Sequence, residues 1–399
     1  MGQGSSFEVV IIGGGNAGIS AAAHLIRRGV HSIAIVEPQS VHTYRPLLSY
    51  VGAGQATKRA AERMQRSVTP RGCTWVQGTA AAIDPEDRTV ACADGTTLRY
   101  EHLILATGLE LDDEELPGAV AAMDADSVTS NYLNRAEKTW QLVESMPAHG
   151  HAVFTVPRAP VSCTGTTLKP LFLAAARWRR IGRPVRITLV IDRAGLLGVA
   201  GLDLRLGSRL QELGVHTLLS STVTGLDPDA REIEIEIDDA DRNRRRIAYD
   251  MLHLVPPFRG PRWLAGSGMT DSSSHGLIDT DPLTLRHRVH DNIWAAGDAA
   301  TVETDPSGGA LRRQIAVLVA NLLAVRRGDP MTSVYDGYTV APIATDTHRL
   351  IAAEFDRTGA PASSLPSFLD PFAPRSAAWA FDRYVLPQMY WRAILKGRL

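Results

Sequence analysis

Glu8–Gly18 reads EVVIIGGGNAG, and this stretch decides the fold. Its β-branched run predicts a buried strand, and Ile19–Gly29 (ISAAAHLIRRG) follows with helical spacing and a glycine stop. In the GxGxxG loop between them, Gly13 permits a tight turn, Gly15 lets backbone approach a pyrophosphate, and Gly18 lets the helix pack on the strand. Strand, glycine loop and helix in succession predict a dinucleotide-binding unit whose helix N-terminus faces the phosphates.

A carboxylate follows the glycine loop at the spacing of a ribose-binding residue. After a second predicted strand, Ser32–Val36, stands Glu37, roughly 20 residues beyond the glycines, where an acidic side chain can accept hydrogen bonds from ribose hydroxyls. Asn16 and Ala17 lie where the predicted helix begins, beside the expected phosphates. We therefore expect this N-terminal segment to bind the adenine half of a dinucleotide.

Two later segments favour FAD over NAD as that dinucleotide. Tyr100–Gly108 (YEHLILATG) predicts a strand that ends in Ala-Thr-Gly, and Asp291–Asp298 (DNIWAAGD) predicts another that runs into a Gly-Asp pair. An apolar helical stretch, Leu311–Leu323, comes next. A Gly-Asp pair alone indicates only a turn, but with the first motif it is typical of the flavin pocket of two-dinucleotide-domain flavoproteins, where Asp298 would bond the ribityl chain.

Composition indicates a globular protein without a nucleic-acid partner. The 399 residues include 42 basic and 43 acidic side chains, so the net charge of −1 gives no global field to attract nucleic acid. The basic turn Arg242–Arg246 lacks interleaved aromatic residues and predicts a solvated hairpin loop. Three widely spaced cysteines cannot build a disulfide framework, which favours a reducing, cytoplasmic location. We expect no metal site.

The second predicted domain lacks a phosphate-binding loop. After the predicted strand Ala152–Val156 comes Pro157–Gly165 (PRAPVSCTG), in which two prolines remove N–H donors and no GxGxxG is present. A nicotinamide reductase is therefore disfavoured. The loop presents Cys163 instead, as a redox thiol facing the flavin or as an inert buried one. If it is a redox thiol, nearby basic groups should lower its pKa.

These segments predict an α/β fold with two Rossmann-like domains of the FAD/NAD(P)-binding type. Residues 1–110 and 280–330 form a discontinuous FAD-binding domain, and residues 111–279 form the second domain, which carries the Cys163 loop. Residues 331–399 form a C-terminal region of helices suited to a membrane interface.

The sequence resembles the sulfide:quinone oxidoreductases over nearly its whole length, especially the branch that includes the mitochondrial enzymes. This resemblance implies a two-domain flavoprotein on a membrane face that oxidises a sulfur nucleophile and passes electrons to quinone. The stretches that carry it are Tyr44–Gly54 (YRPLLSYVGAG), Val153–Lys169 (VFTVPRAPVSCTGTTLK), Met251–Pro257 (MLHLVPP), Asn292–Asp298 (NIWAAGD) and Tyr335–Phe355 (YDGYTVAPIATDTHRLIAAEF).

The resemblance also implies roles for individual residues. Cys163 matches the redox cysteine nearest the flavin, and Lys169 matches a lysine of the same loop, so both are candidate catalytic residues. The residues expected to bind FAD, without a covalent bond, are Gly13, Gly15, Asn16, Ala17, Gly18, Glu37, Arg45, Pro46, Ala80, Thr107, Gly108, Gly297 and Asp298.

The chain departs from the family pattern at two positions. Ala341 stands where the family has its second redox cysteine, and Asp305–Ser307 (DPS) replaces a Ser-Lys-Thr motif, so a basic residue is missing. One cysteine cannot hold sulfur in a two-cysteine bridge. Cys73 and Cys92 are expected to lie outside the Cα separation of about 7 Å that bonding to Cys163 would require.

The C-terminal segment favours attachment to a membrane surface. Arg375–Leu399 mixes aromatic and apolar side chains with Arg383, Arg392 and Lys396, and Pro387 interrupts its helical pattern. This mixture suits a peripheral, interfacial anchor. The alternative is a helix pair that packs on the protein's own core or on a second subunit of a homodimer. No run of 18 apolar residues predicts a membrane-spanning helix.

Three functions remain open at this point. The first is oxidation of a small sulfur-containing substrate, with Cys163 as the sole active thiol and quinone as acceptor. The second is a divergent flavoenzyme that acts on another substrate, and the third is a non-catalytic flavoprotein, such as a redox sensor or an assembly subunit. Ala341 and the missing lysine favour the second and third, whereas the other matches favour the first.

Overall fold

The structure is a computed structural model that describes residues 5–238, 242–364, 366 and 368–399. Its strands are β1 Ser5–Ile12, β2 Ile33–Val36, β3 Val41–Thr43, β4 Glu62–Met64, β5 Cys73–Val76, β6 Ala80–Asp84, β7 Thr89–Cys92, β8 Thr97–Leu105, β9 Glu110–Leu111, β10 Val128–Thr129, β11 His151–Val156, β12 Arg186–Ile191, β13 His216–Leu218, β14 Ser221–Asp227, β15 Glu232–Ile237, β16 Arg244–Ala248, β17 Met251–His253, β18 Phe258–Arg259, β19 Thr270–Asp271, β20 Leu277–Ile278, β21 Ile293–Ala295, β22 Thr339–Asp346 and β23 Arg349–Phe355.

The helices complete the framework, and a π-helical turn, Phe381–Val385, joins the last two of them. The α-helices are α1 Asn16–Arg27, α2 Leu48–Val51, α3 Lys58–Ala61, α4 Gln65–Val68, α5 Ala136–Ser145, α6 Thr164–Thr167, α7 Lys169–Arg180, α8 Ala200–Glu212, α9 Gly308–Arg327, α10 Ser376–Ala380 and α11 Leu386–Arg392. Short 3₁₀ helices lie at Arg45–Leu47, Ala121–Asp124, Arg262–Leu264, Ser272–Ser274 and Ile394–Lys396.

The first sheet is built around the strand that precedes the glycine loop. Its order is β5-β2-β1-β8-β7-β6. β21 also pairs with β8, along the carboxyl end of that strand. β1 runs parallel to β2 and β8, with Val9 beside Ile33 and His102. The β-branched side chains of β1 are fully buried, as expected of a central strand of a parallel sheet. The carboxyl end of β21 therefore meets the glycine loop at one edge of this sheet.

The second sheet is entirely parallel, in the order β10-β17-β11-β12-β13. Its core contains side chains from β11, β12, α7 and α8, with Phe172 and Trp178 among the buried ones. An antiparallel sheet, β14-β15-β16, packs beside it. The α/β class with two Rossmann-like units, predicted from the sequence, is confirmed.

A hairpin and the C-terminal segment cover the two units. β22 and β23 pair with Ala341 opposite Ala353, and β22 packs against α6, α7 and α9. Beyond it, Tyr390 and Leu395 are buried in the core of the first unit. His42 Nε2 and the Tyr390 hydroxyl form a buried hydrogen bond of 2.6 Å. The C-terminal segment thus packs on the protein's own core along one side.

The opposite side of that segment is open to solvent. Phe381, Tyr384 and Val385 are 46%, 56% and 46% exposed, an apolar group on one π-helical turn. Within the described residues, one helix, α9, is long and apolar enough to cross a membrane by length and composition alone, although it contains no run of 18 apolar residues. It contacts α1, and 56% of its most apolar window is buried inside the protein, as in the core helix of a soluble protein.

Candidate active site

The glycine loop has the close approaches that its spacing predicts. Gly13 has φ +103°, and a Cβ there would lie 2.2 Å from the carbonyl oxygen of Ala106. A Cβ on Gly18 would lie 1.9 Å from the carbonyl oxygen of Gly13. Gly15, at the N-terminus of α1, has no atom within 4 Å of its would-be Cβ. Two glycines are therefore required by packing, whereas Gly15 borders open space at the helix N-terminus, which fits a pyrophosphate.

Glu37 is fixed beside this loop at the end of β2. Its Oε2 accepts a hydrogen bond of 2.7 Å from the N–H of Gly14, and its Oε1 accepts one of 2.7 Å from Gln39. Each carboxylate oxygen can accept a further hydrogen bond. The side chain is thus oriented and still able to bind ribose hydroxyls.

The Gly-Asp pair lies next to the start of α1. Gly297 has φ +84°, its N–H donates to Gln314 Oε1 at 2.9 Å, and its would-be Cβ lies 3.4 Å from Ala17 Cβ. Burial raises the pKa of Asp298, against a hydrogen bond from Ser162 and the charge of Arg45. Asp298 therefore connects the Gly-Asp loop to the loop that carries Cys163.

The remaining predicted flavin residues lie on several elements of the first unit. Arg45 and Pro46 lie in a 3₁₀ turn, and Arg45 Nη1 donates a long hydrogen bond, 3.5 Å, to the carbonyl of Tyr132. Ala80 is the buried first residue of β6. Thr107 and Gly108 lie in the loop after β8, and Gly108 has φ +67°. Asn16 and Ala17 are the first residues of α1.

Cys163 lies immediately before α6, in a left-handed backbone conformation with φ +57°. Thr166 Oγ1 donates a hydrogen bond to its Sγ at 3.2 Å. Burial, followed by the nearby carboxylate of Asp305, raises the pKa of the thiol to about 11, although Thr166 and Lys169 act in the opposite direction. The expectation of a lowered pKa is wrong, because desolvation outweighs the basic neighbour.

Asp305 and Arg193 join this site, and the sequence did not assign either of them a role there. Asp305 accepts hydrogen bonds from the hydroxyl of Thr164 at 2.5 Å and from its N–H at 3.2 Å. Arg193 Nη1 donates to the same hydroxyl at 2.9 Å, and its Nε donates to the carbonyl of Pro157 at 3.1 Å. Among the described residues, Arg193 Nη2 is a buried donor without a hydrogen-bond partner.

Arg193 places a positive charge beside Asp305 in this site. It lies just beyond the end of β12, and no local pattern distinguishes it from a solvated arginine. A charged residue at the carboxyl end of a strand in a parallel sheet is the one signal that could have identified it.

Lys169 is the first residue of α7 and is fully buried. Its Nζ lies 2.9 Å from Asp382 Oδ2 and faces the ring of Tyr50 at 5.3 Å. Its direct partner is therefore a carboxylate of the C-terminal segment, while its charge still favours the thiolate of Cys163.

The other cysteine positions do not supply a partner thiol. Ala341 is buried on β22, and its Cβ lies 2.7 Å from the would-be Cβ of Gly165, two residues beyond Cys163. Cys73 and Cys92 lie on β5 and β7 of the first sheet, and all three cysteines are free thiols. Burial raises the pKa of Cys73 to about 12.

Comparison with known proteins agrees with this geometry. Residues 7–320 match the pyridine nucleotide-disulphide oxidoreductase family. The chain is 31% identical to the mitochondrial sulfide:quinone oxidoreductase of Mus musculus, over 98% of this chain and 87% of that protein.

Two solved structures share the fold. The sulfide:quinone oxidoreductase of Aquifex aeolicus superposes with a TM-score of 0.79 at 17% identity, over 98% of this chain and 92% of that one. A chain in the structure of the Tetrahymena thermophila mitochondrial ATP synthase superposes with a TM-score of 0.86 at 18% identity, over 100% and 98%. These two likenesses concern the fold alone.

Proposed function

The chain belongs to the pyridine nucleotide-disulphide oxidoreductase family, among the relatives of sulfide:quinone oxidoreductases, and we propose that it oxidises a sulfide- or thiol-type substrate at Cys163 with quinone as acceptor. It is an FAD-dependent oxidoreductase. The observation that carries the proposal is the position of Cys163, which heads α6 where a second dinucleotide domain would carry its phosphate loop. Ser162, its neighbour, lies close enough to Asp298 of the Gly-Asp loop to lower the pKa of that carboxyl group against the effect of burial.

The residues present fit FAD, because the open space at Gly15, the oriented carboxylate of Glu37 and the buried carboxylate of Asp298 line one sheet edge. When bound, FAD would supply two-electron redox chemistry. The N-terminus of α1 would hold the pyrophosphate. The residues proposed to bind it are Gly13, Gly15, Asn16, Ala17, Gly18, Glu37, Arg45, Pro46, Ala80, Thr107, Gly108, Gly297 and Asp298.

Cys163 is proposed to bond the substrate sulfur and to carry it as a persulfide. Formation of that S–S bond from a thiol and sulfide releases two electrons and two protons, and the bound FAD would accept the electrons. Because Ala341 offers no thiol, an external thiol or sulfide must remove that sulfur. The charge of Lys169 would assist by favouring the thiolate. Its ion pair with Asp382 also anchors the start of α7.

Quinone delivery and a peripheral membrane location are proposed for the C-terminal segment. The exposed side chains of Phe381, Tyr384 and Val385 could enter the interfacial layer of a bilayer, with Arg383 beside them. The cytoplasmic face of a membrane remains the proposed location for a chain with three free thiols.

Ala341 supports a second candidate function. A buried methyl group at the position of the family's second redox cysteine suits a flavin oxidoreductase with another substrate, or a flavoprotein that senses redox state without turnover. In neither case would sulfide react at Cys163.

Anaerobic titration of the purified yellow protein with sulfide tests the proposal. We expect the flavin to bleach in the wild type and to stay oxidised in Cys163→Ser, because an alcohol at neutral pH is a far weaker nucleophile than a thiolate. Bleaching by a different reductant only would favour the divergent enzyme, and an unreactive flavin would favour the sensor. Equal bleaching in both proteins would show that the thiol has no part in the reaction.

A further inference from the structure

Asp305 is fixed beside the loop of the reacting cysteine by hydrogen bonds at both its side chain and its backbone. Both carboxylate oxygens accept hydrogen bonds from Thr164, the residue after Cys163. The carbonyl of Asp305 accepts a hydrogen bond of 2.7 Å from the hydroxyl of Thr339 on β22, so its backbone is anchored as well. A carboxylate capable of proton transfer thus stands where the family has a serine.

A single-cysteine cycle has a chemical difficulty that this carboxylate can remove. When an external thiol takes the outer sulfur from a Cys163 persulfide, Cys163 must leave as a thiolate. A thiol with a pKa of about 11 is a poor leaving group. Delivery of a proton to its sulfur during departure offsets that disadvantage.

We propose that Asp305 is the acid–base residue that transfers a proton from the incoming thiol to the departing sulfur of Cys163. The inference rests on the proposed function, since it concerns removal of sulfur from the same thiol. The incoming thiol loses its S–H proton to Asp305, and its sulfur bonds to the outer sulfur of the persulfide. The S–S bond to Cys163 breaks, and Asp305 returns the proton to Cys163. The products are a free persulfide and the Cys163 thiol, with no net change in oxidation state.

The groups around Asp305 suit a proton carrier near neutral pH. Burial raises the pKa of Asp305 to about 6, while the bonds from Thr164 and the charge of Arg193 oppose that rise and Asp298 adds to it. The thiol of Cys163 interacts with it as well. A carboxylate with this pKa is ionised often enough to accept a proton and acidic enough to return it.

The test follows release of sulfur from holoenzyme loaded beforehand. Protein is treated anaerobically with inorganic tetrasulfide, freed of excess reagent and mixed with 2-mercaptoethanol, and the persulfide on the Cys163 peptide is followed by quenched-flow mass spectrometry. In the wild type the rate of sulfur release should rise up to pH about 6, as Asp305 ionises. It should then level off until the thiol of 2-mercaptoethanol itself ionises. Asp305→Asn should release sulfur about 100-fold more slowly at pH 7, at a rate that rises tenfold per pH unit without levelling off.

Three further variants make the result decisive. Asp305→Ser removes the acid but keeps a hydrogen-bonding group, and it should behave like Asp305→Asn. Asp305→Glu should restore the plateau. Asp192→Asn removes another carboxylate close to Arg193 and should keep the wild-type profile. A plateau and a rate within a few fold of wild type in Asp305→Asn or Asp305→Ser would overturn the proposal. Failure of sulfide to bleach the wild-type flavin would instead count against the proposed function, since loading with tetrasulfide does not depend on it.

Discussion

Lys169 Nζ and Asp382 Oδ2 lie 2.9 Å apart in a fully buried ion pair that joins the helix after the Cys163 loop to the C-terminal segment. The hydroxyl of Tyr50 donates a second hydrogen bond, 2.6 Å, to the same carboxylate oxygen. A residue that sequence comparison places in the active-site loop is therefore also the point at which three separate parts of the chain meet. Movement of the C-terminal segment would act directly on the start of α7.

Removal of one partner of this pair should destabilise the protein strongly. We expect Lys169→Met to lower the free energy of unfolding by about 3–5 kcal/mol, because it leaves the charge of Asp382 buried and unpaired. Arg205→Met breaks a half-exposed ion pair with Asp370 and should cost less than about 1 kcal/mol. Denaturant unfolding followed by tryptophan fluorescence measures both. Equal small losses would mean that the buried pair contributes little.

Gly15→Val should fold and lose FAD. Its Cβ meets no protein atom within 4 Å, so only the cofactor's space is filled. Gly18→Val should fail to fold, since its Cβ would lie 1.9 Å from a backbone oxygen, and Gly207→Val, also in open space but on α8, should keep the flavin. Circular dichroism reports folding, and flavin released on heating should be FAD in the wild type. Wild-type flavin content in Gly15→Val would contradict the assignment of the loop.

The parts of the site that the sequence predicted correctly are formed by residues that are neighbours in the chain. The strand, glycine loop and helix are contiguous, so their spacing predicted the tight turn at Gly13 and the close packing at Gly18. The site around Cys163 depends on contacts between distant residues, because Asp305 is 141 positions from Thr164. The direction of the pKa shift of Cys163 depends on how deeply the folded protein buries the thiol. The number of basic residues nearby in the sequence does not predict that burial.

NADH should be a poor reductant of this flavoprotein. The loop after β11 begins with Pro157. The side chain of Arg158 donates hydrogen bonds to Glu115 and Asp112. The side chain of Arg193 donates a hydrogen bond to the carbonyl of Pro157. The Arg158 side chain and the Pro157 carbonyl are thus engaged within the protein, and the loop's prolines offer no N–H to a pyrophosphate. Stopped-flow mixing with NADH or NADPH should show little flavin reduction within seconds. Rapid reduction would mean that the loop binds a nicotinamide cofactor after all.

Membrane attachment should depend on the exposed face of the C-terminal segment. The triple variant Phe381→Ser, Tyr384→Ser and Val385→Ser should stay at the bottom of a liposome flotation gradient with its flavin bound, because it removes the exposed apolar surface of the segment. Leu204→Ser alters an exposed leucine on α8 and should float with the wild type. Deletion of the whole segment is a weaker test, since it also removes Tyr390 from the core. A wild-type protein that does not float would argue against quinone as acceptor.

Ala341→Cys should raise sulfide turnover and relieve the need for an external thiol. The methyl group of Ala341 already contacts Gly165, which has no side chain, so a sulfur atom there would face the short helix that Cys163 precedes. An internal thiol makes removal of the persulfide sulfur effectively unimolecular, which increases its rate far beyond that of a dilute external thiol.

Ala353→Cys places a thiol directly across the same hairpin, on β23, and should leave turnover dependent on external thiol. If Ala341→Cys turns over no faster than the wild type while Cys163→Ser stays inactive, sulfur removal does not limit the cycle. If sulfide acts on none of these proteins, the chain shares the family's fold and cofactor without its reaction.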